Sequence, residues 1–141
     1  MLKTILTAVM LLSLSQAFAQ CASTVAELRG LADDSSLPMQ WIEQGARKTL
    51  TLTISNSGNA LHINMQAPRG NWAQGRGTVC KRSETSYVAN ITGGGLQWGP
   101  ETNFLIRGLG GRIRTINLTL SRDKRELRVS ASSYNGRYLP L

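Results

Sequence analysis

Residues 49–54 (TLTLTI) and 61–67 (LHINMQA) alternate strictly between polar and apolar side chains. A period of two puts the apolar side chains of each run on one face of a strand. The segment between the two runs, SNSGN, has the Asn/Gly/Ser composition of a hairpin turn. A third run, 71–80, follows a PRG turn and ends at a cysteine. This part of the chain therefore predicts the start of an antiparallel sheet with one buried face and one solvent-exposed face.

The rest of the chain predicts more short strands and one or two short helices. Thr24 and Glu27 fit a capping box at the start of a helix over 23–32. A helix is also predicted over 101–109, or alternatively a buried strand at 104–106. Strands are predicted at 39–43, 87–91, 113–120 and 127–131, turns at Gly93-Gly94-Gly95 and Asn135-Gly136, and an edge-pairing tail at 137–141.

Taken together, these elements predict a mainly β fold, an antiparallel meander of about seven strands with one or two short helices. The meander would form a small barrel or a strongly curved sheet. In the third strand, Ala73, Gly75 and Gly77 leave one face almost bare. We favour β-bulges or tight curvature as the reason. Space for a side chain from across the sheet, or for a ligand, is the alternative.

The first 19 residues have the features of a secretory signal peptide. They combine Lys3, the apolar run 4–14 and the A-x-A sequence at 17–19. We expect cleavage before Gln20, leaving a single β-rich domain over 20–141 in the periplasm or outside the cell. Lipidation at Cys21 is a less favoured alternative, because the residues before it are bulky or polar rather than small.

Cys21 and Cys80 are the two cysteines of the chain, and an oxidising compartment predicts that they form a disulfide. Two cysteines and one histidine fall short of the usual metal-ligand sets, so no metal and no cofactor are expected. The histidine, His62, is predicted on the polar face of a strand beside Asn64 and Gln66, without an acid to orient it as a general base. We find no nucleophile motif and no phosphate-binding loop, and we expect no enzymatic activity.

The composition is strongly basic, with 16 Lys and Arg against 8 Asp and Glu and a formal charge of +8. Loss of Lys3 with the signal peptide leaves +7. Such a surface attracts anionic polymers and membranes, whereas nucleic acid is a poor partner for an exported protein. We therefore expect a basic binding domain for an anionic envelope component, either a glycan or a lipid head group.

The candidate binding residues combine aromatic planes with neighbouring cations, a combination that suits sugar faces and lipid head groups. For each tryptophan taken alone, however, we favour a position in the barrel core. The candidates are Trp72, Arg69, Arg76, Trp98, Arg112 and Arg114. Two other functions stay open. One is an interaction module, such as an inhibitor or immunity partner of another exported protein, and the other is a lipocalin-like carrier of an apolar ligand.

Overall fold

The computed structural model describes residues 20–45, 50–68, 70–98, 115–131 and 134–141, with all of their side chains except those of 70–72 and 93–98. The elements are β1 (Cys21–Ala22), α1 (Val25–Leu31), β2 (Gln40–Glu43), β3 (Thr51–Ser57), β4 (Ala60–Ala67), β5 (Gly70–Lys81), β6 (Ser86–Trp98), β7 (Thr115–Leu120), β8 (Leu127–Ala131) and β9 (Tyr134–Pro140). The predicted signal peptide and the predicted helix at 101–109 lie outside the described residues.

Strands β2 to β9 form a closed antiparallel barrel of eight strands, and β1 is an extra strand outside the ring. Each barrel strand pairs with the next one along the chain. The ring closes where β9 pairs with β2, with Ile42 opposite Leu139. The predicted meander is confirmed, and of the two predicted forms the closed barrel is the one adopted. The C-terminal tail was predicted to pair at a sheet edge. It instead belongs to β9, the strand that closes the barrel by pairing with β2.

The barrel interior is filled by the apolar side chains of the alternating runs. Each fully buried aliphatic side chain of this kind contributes about 1.5–3 kcal/mol through removal from water. The largest fully buried side chains are Trp41, Tyr138, Leu52, Leu61, Met65, Ile116, Val79 and Val129. Polar residues occupy the opposite face, for example Thr115, Asn117 and Thr119 on β7. The predicted division into a buried and an exposed face is therefore confirmed.

Helix α1 covers one end of the barrel, which we call the helix end. Thr24 caps the helix by accepting the Glu27 backbone N–H at 3.1 Å. In a full capping box the Glu27 carboxylate would accept the Thr24 backbone N–H. Here it accepts the Thr24 hydroxyl instead. The Lys81 ammonium donates to the Leu31 carbonyl at 2.9 Å at the other end of the helix. Leu28 packs into the barrel core, so the helix is attached at both termini and along its buried face.

The disulfide between Cys21 and Cys80 is confirmed and joins residues that lie directly opposite each other on β1 and β5. β1 is two residues long, too short for any alternation to be visible in the sequence. Ala22, its other residue, is fully buried opposite Val79. The disulfide therefore ties the segment that leads into α1 to the barrel wall.

At Gly77, the bare face of β5 allows two backbones to approach closely. A Cβ atom added at Gly77 would lie 1.9 Å from the Asn90 carbonyl oxygen on β6. The β5–β6 register also shifts between Gln74 and Gly77, as at a β-bulge. The favoured interpretation, bulges with tight curvature, accounts for Gly77 without a ligand.

Both predicted glycine turns are wrong. Gly93-Gly94-Gly95 lies within β6, where Gly93 pairs with Arg76 across the irregular part of the β5–β6 ladder. Asn135-Gly136 lies within β9, where Gly136 pairs with Val129. In both places, pairing with a neighbouring strand overrides the local turn preference.

Candidate functional site

A carboxyl and two phenols form a polar cluster inside the apolar barrel. Glu43, at the end of β2, is 6% exposed, and Tyr138, directly opposite it on β9, is fully buried. The Tyr134 hydroxyl donates to Glu43 Oε2 and lies 2.6 Å from the Tyr138 hydroxyl. Because Tyr134 has a single hydroxyl hydrogen, Tyr138 donates to Tyr134 while Tyr134 donates to Glu43. The cluster is thus a chain of donors that ends on the carboxyl.

Gly136 makes room for this cluster. A Cβ atom there would lie 2.2 Å from the Tyr134 hydroxyl and 2.8 Å from Glu43 Oε2. Burial raises the pKa of Glu43, while hydrogen bonds from Tyr134 and from the Leu50 backbone act in the opposite direction. Burial is also the largest cause that raises the pKa values of Tyr134 and Tyr138, so both phenols stay protonated at neutral pH.

On the outer wall, next to this cluster, lies a depression of about 340 Å³. We call it the β2–β9 depression. Its lining residues are Glu43, Gln44, Gly45, Arg128, Asn135, Gly136 and Arg137. It forms where β2 leaves β9. There the Gln44 backbone N–H donates to the Arg137 carbonyl at 2.8 Å. Gly45 then takes a φ of +78°, a left-handed conformation that glycine adopts readily.

Two arginines stand at the edge of the β2–β9 depression. Arg128 on β8 and Arg137 on β9 are directly opposite each other in the ladder. The Arg137 guanidinium forms an ion pair with Glu126, and among the described residues no carboxylate pairs with Arg128. Like charges directly opposite each other on neighbouring strands are destabilising. The pair therefore concentrates positive charge on the wall at an energetic cost.

The described carboxylates are concentrated at one end of the barrel. Apart from the buried Glu43, every described carboxylate lies at the helix end: Glu27, Asp33, Asp34, Glu84, Asp123 and Glu126. Seven basic residues lie at or reach that end: Arg29, Arg76, Lys81, Arg82, Arg122, Lys124 and Arg125. The formal charges of the helix end therefore nearly cancel.

At the opposite end, which we call the distal end, β2, β4, β6 and β8 finish and β3, β5, β7 and β9 begin. In the sequence, the segments between those strand ends contain six basic residues and one acidic residue, Glu101. The basic residues are Arg47, Lys48, Arg69, Arg107, Arg112 and Arg114. By sequence, most of the positive surplus of the chain thus belongs to these segments and to Arg128 and Arg137 on the wall.

The fold brings some of the predicted binding residues towards one another. Trp98, the last residue of β6, pairs with Ala73, the immediate neighbour of Trp72 on β5. The backbones of the two tryptophans are therefore close together, at the distal end. Arg69, Arg112 and Arg114 lie outside the described residues, in segments that adjoin strand ends of the same distal end.

Arg76 is separate from that group. It is exposed on the outer wall and donates to the Ser57 carbonyl at 3.0 Å, beside the β3–β4 turn at the helix end. His62 lies directly opposite Arg76 on β4, on the polar face as predicted. The third tryptophan, Trp41, is 2% exposed, and its indole N–H donates to the Pro38 carbonyl at 2.9 Å. For Trp41 the core alternative is the correct one.

Sequence reasoning missed the Glu43–Tyr134–Tyr138 cluster and the pairing of Arg128 with Arg137. Neither has a local motif. Tyr134 and Glu43 are 91 positions apart in the chain. A weak signal was present, since Tyr134, Gly136 and Tyr138 alternate with polar residues and so indicate a strand with tyrosines on one face.

A small apolar cavity of about 30 Å³ lies between α1 and the barrel core. It is lined among others by Leu28, Leu37, Trp41 and Tyr87, and the Tyr87 hydroxyl is buried without a hydrogen-bond partner. A volume of this size holds about one or two water molecules. No three His, Cys, Asp or Glu residues group as metal ligands within the described part of the chain. None of its helices is long and apolar enough to cross a bilayer.

No protein-family model, curated protein or solved structure matches this chain. Functional inference therefore depends on the distribution of charge and on the geometry of the barrel.

Proposed function

We propose that this protein is an exported, non-enzymatic β-barrel domain that binds an anionic component of the cell envelope, a glycan or a lipid head group. The observation that carries the proposal is that every described carboxylate except Glu43 lies at the helix end, whereas the sequence segments that join the strands at the distal end contain six basic residues and one acidic residue. At the helix end, the six carboxylates offset most of the charge of the seven basic residues, Arg76 included. A polyanion would meet unbalanced positive charge at the distal end and on the wall.

The backbone placement of Trp72 and Trp98 at the distal end supports the proposal. An aromatic ring beside arginine offers an apolar plane together with hydrogen-bond donors, a combination that suits sugar rings and head groups. The disulfide supports the exported location, because such bonds persist in oxidising compartments.

The test is binding of the mature protein to phosphatidylglycerol vesicles and to a soluble sulfated glycan over a range of NaCl concentrations. We expect binding at low salt that weakens steeply as salt rises, because exposed charges are screened within about 10 Å at 0.1 M salt. Phosphatidylcholine vesicles and an uncharged glycan are the matched neutral ligands. Failure of both anionic ligands to bind at low salt would reject the proposal.

Two double variants that remove the same amount of charge test which end of the barrel binds the anionic ligand. Arg112→Gln/Arg114→Gln alters a segment that joins the distal end, and Arg122→Gln/Arg125→Gln alters the β7–β8 turn at the helix end. We expect the first double variant to weaken binding clearly more than the second. Equal weakening would mean that net charge alone matters. Stoichiometric co-purification of another exported chain would instead favour the interaction module.

A further inference from the structure

We propose that the β2–β9 depression is a binding subsite for a tetrahedral oxyanion, a phosphate or sulfate group, held by Arg128 and Arg137. This inference rests on the proposed function, because it identifies where one anionic group of the larger ligand binds. The depression is built from described residues only, and its shape follows from the local sequence.

The shape comes from two glycines and a strand that ends early. β2 is four residues long and β9 is seven, so the first half of β9 extends past the recorded β2–β9 pairs. Gly45 follows the end of β2 in a left-handed conformation, and Gly136 contributes no side chain. A gap in the wall results, with Gln44 on one side and Asn135 on the other.

The chemistry comes from the two arginines at the edge. A guanidinium has five N–H donors in a planar fork that matches the oxygens of phosphate or sulfate. The bond from Arg137 Nε to Glu126 uses one of these donors and orients the group, while Arg128 has no carboxylate partner among the described residues. Gln44 and Asn135 also line the depression, and the Gln44 side-chain amide gives one of its two hydrogens to the Ile42 carbonyl at 3.3 Å. An oxyanion between the guanidinium groups would also relieve the repulsion of the cross-strand pair.

The surroundings favour a specific site over diffuse attraction. On β3, β4 and β7 the outer face carries only Thr, Ser, Asn, Gln, one Ala and one His among the described residues. Glu43, which also lines the depression, is 6% exposed, and its carboxyl accepts a hydrogen bond from Tyr134 inside the barrel. Arg128 and Arg137 are thus the two cations that β8 and β9 place next to a concave surface.

The test is titration of the mature protein with inorganic phosphate and inorganic sulfate, followed by backbone amide NMR. We expect saturable shifts at Gly45, Asn135 and Gly136, and about tenfold weaker binding in Arg128→Gln and in Arg137→Gln. Arg82→Gln is the matched control, because it removes the same charge from an exposed residue at the helix end. It should change the affinity less than twofold. Linear, non-saturating shifts, or equal weakening in all three variants, would overturn the proposal.

The same variants show whether the bound anion belongs to a lipid or to a glycan. They also distinguish failure of the subsite from failure of the proposed function. We expect Arg128→Gln to weaken binding of phosphatidylglycerol vesicles if the group belongs to a lipid, and of the sulfated glycan if it belongs to a glycan. If Arg128→Gln weakens neither while Arg112→Gln/Arg114→Gln weakens one, the subsite is wrong and the proposed function stands. If the wild-type protein binds neither ligand at low salt, the proposed function fails regardless of phosphate binding.

Discussion

Substitution of Gly136 by alanine should destabilise the barrel severely for so small a change. The added Cβ would lie 2.2 Å from the Tyr134 hydroxyl, whereas ordinary contacts begin at about 3.4 Å. Tyr134 would have to move by more than 1 Å, which would disrupt its hydrogen bonds to Glu43 and Tyr138. Overpacking costs about 1–3 kcal/mol, and a buried polar group left unsatisfied costs about 1–3 kcal/mol more. We therefore expect a loss of about 2–6 kcal/mol in the free energy of unfolding.

Urea denaturation of the mature, oxidised protein measures this loss from the shift of the midpoint at constant slope. Gly30→Ala is the matched control, because a Cβ atom there meets nothing within 4 Å and alanine favours helix. It should stabilise the protein by up to about 1 kcal/mol. A wild-type midpoint for Gly136→Ala would refute the close packing of the cluster.

A double-mutant cycle identifies the clash itself. Tyr134→Phe removes the hydroxyl that a Cβ atom at Gly136 would contact most closely. Gly136→Ala should therefore cost less in the Tyr134→Phe background than in the wild type, by about 1 kcal/mol or more. Additive effects would place the cost of Gly136→Ala elsewhere in the barrel.

For three further changes, the structure predicts whether the protein gains or loses stability. Gly77→Ala would place a Cβ atom 1.9 Å from the backbone oxygen of Asn90, which cannot rotate away as a side chain can, so it should lower the urea midpoint more than Gly136→Ala does. The pKa of Glu43 is raised above its ordinary value of 4.5, so its protonated form stabilises the fold at low pH, and this contribution is lost as pH rises through the raised value. Glu43→Gln should therefore gain stability relative to wild type as the pH rises above 4.5, and a pH-independent difference would contradict the shift. Reduction of the Cys21–Cys80 bond, which spans 59 positions, should cost about 4 kcal/mol, and thiol labelling after unfolding without reductant should find no free cysteine.

Alternation of side chains was sufficient to predict most of the strands. Residues 49–54 and 61–67 form β3 and β4 nearly as predicted, because a half-buried strand needs a period of two. Closure of the barrel was not predictable in the same way. It depends on the pairing of Ile42 with Leu139, which lie near opposite ends of the domain and share no local signal.

The turn predicted at Asn135-Gly136 shows how a local preference can mislead. Asn-Gly is the strongest dipeptide signal for a two-residue hairpin, and such a turn would have placed Tyr134 opposite Arg137. In the structure Tyr134 instead pairs with Ala131, and Arg137 pairs with Arg128. Glycine is required at position 136 because the Tyr134 hydroxyl occupies the space of a Cβ atom. This requirement comes from tertiary packing and cannot be read from a short stretch of sequence. The same error in register concealed the arginine pair.

Net charge alone would not distinguish the arginines of this protein from one another, but their surroundings do. At the helix end, the Lys124 ammonium donates to the Asp33 carbonyl, and the Arg125 backbone N–H donates to the Asp123 carboxylate. A polyanion that approached this end would be repelled by carboxylates almost as often as it met a cation. Of the two arginines at the β2–β9 depression, Arg128 and Arg137, only Arg137 has a carboxylate partner among the described residues, and that partner is Glu126. We therefore expect a bound polyanion to follow the distal end and the β2–β9 wall, with α1 directed away from it.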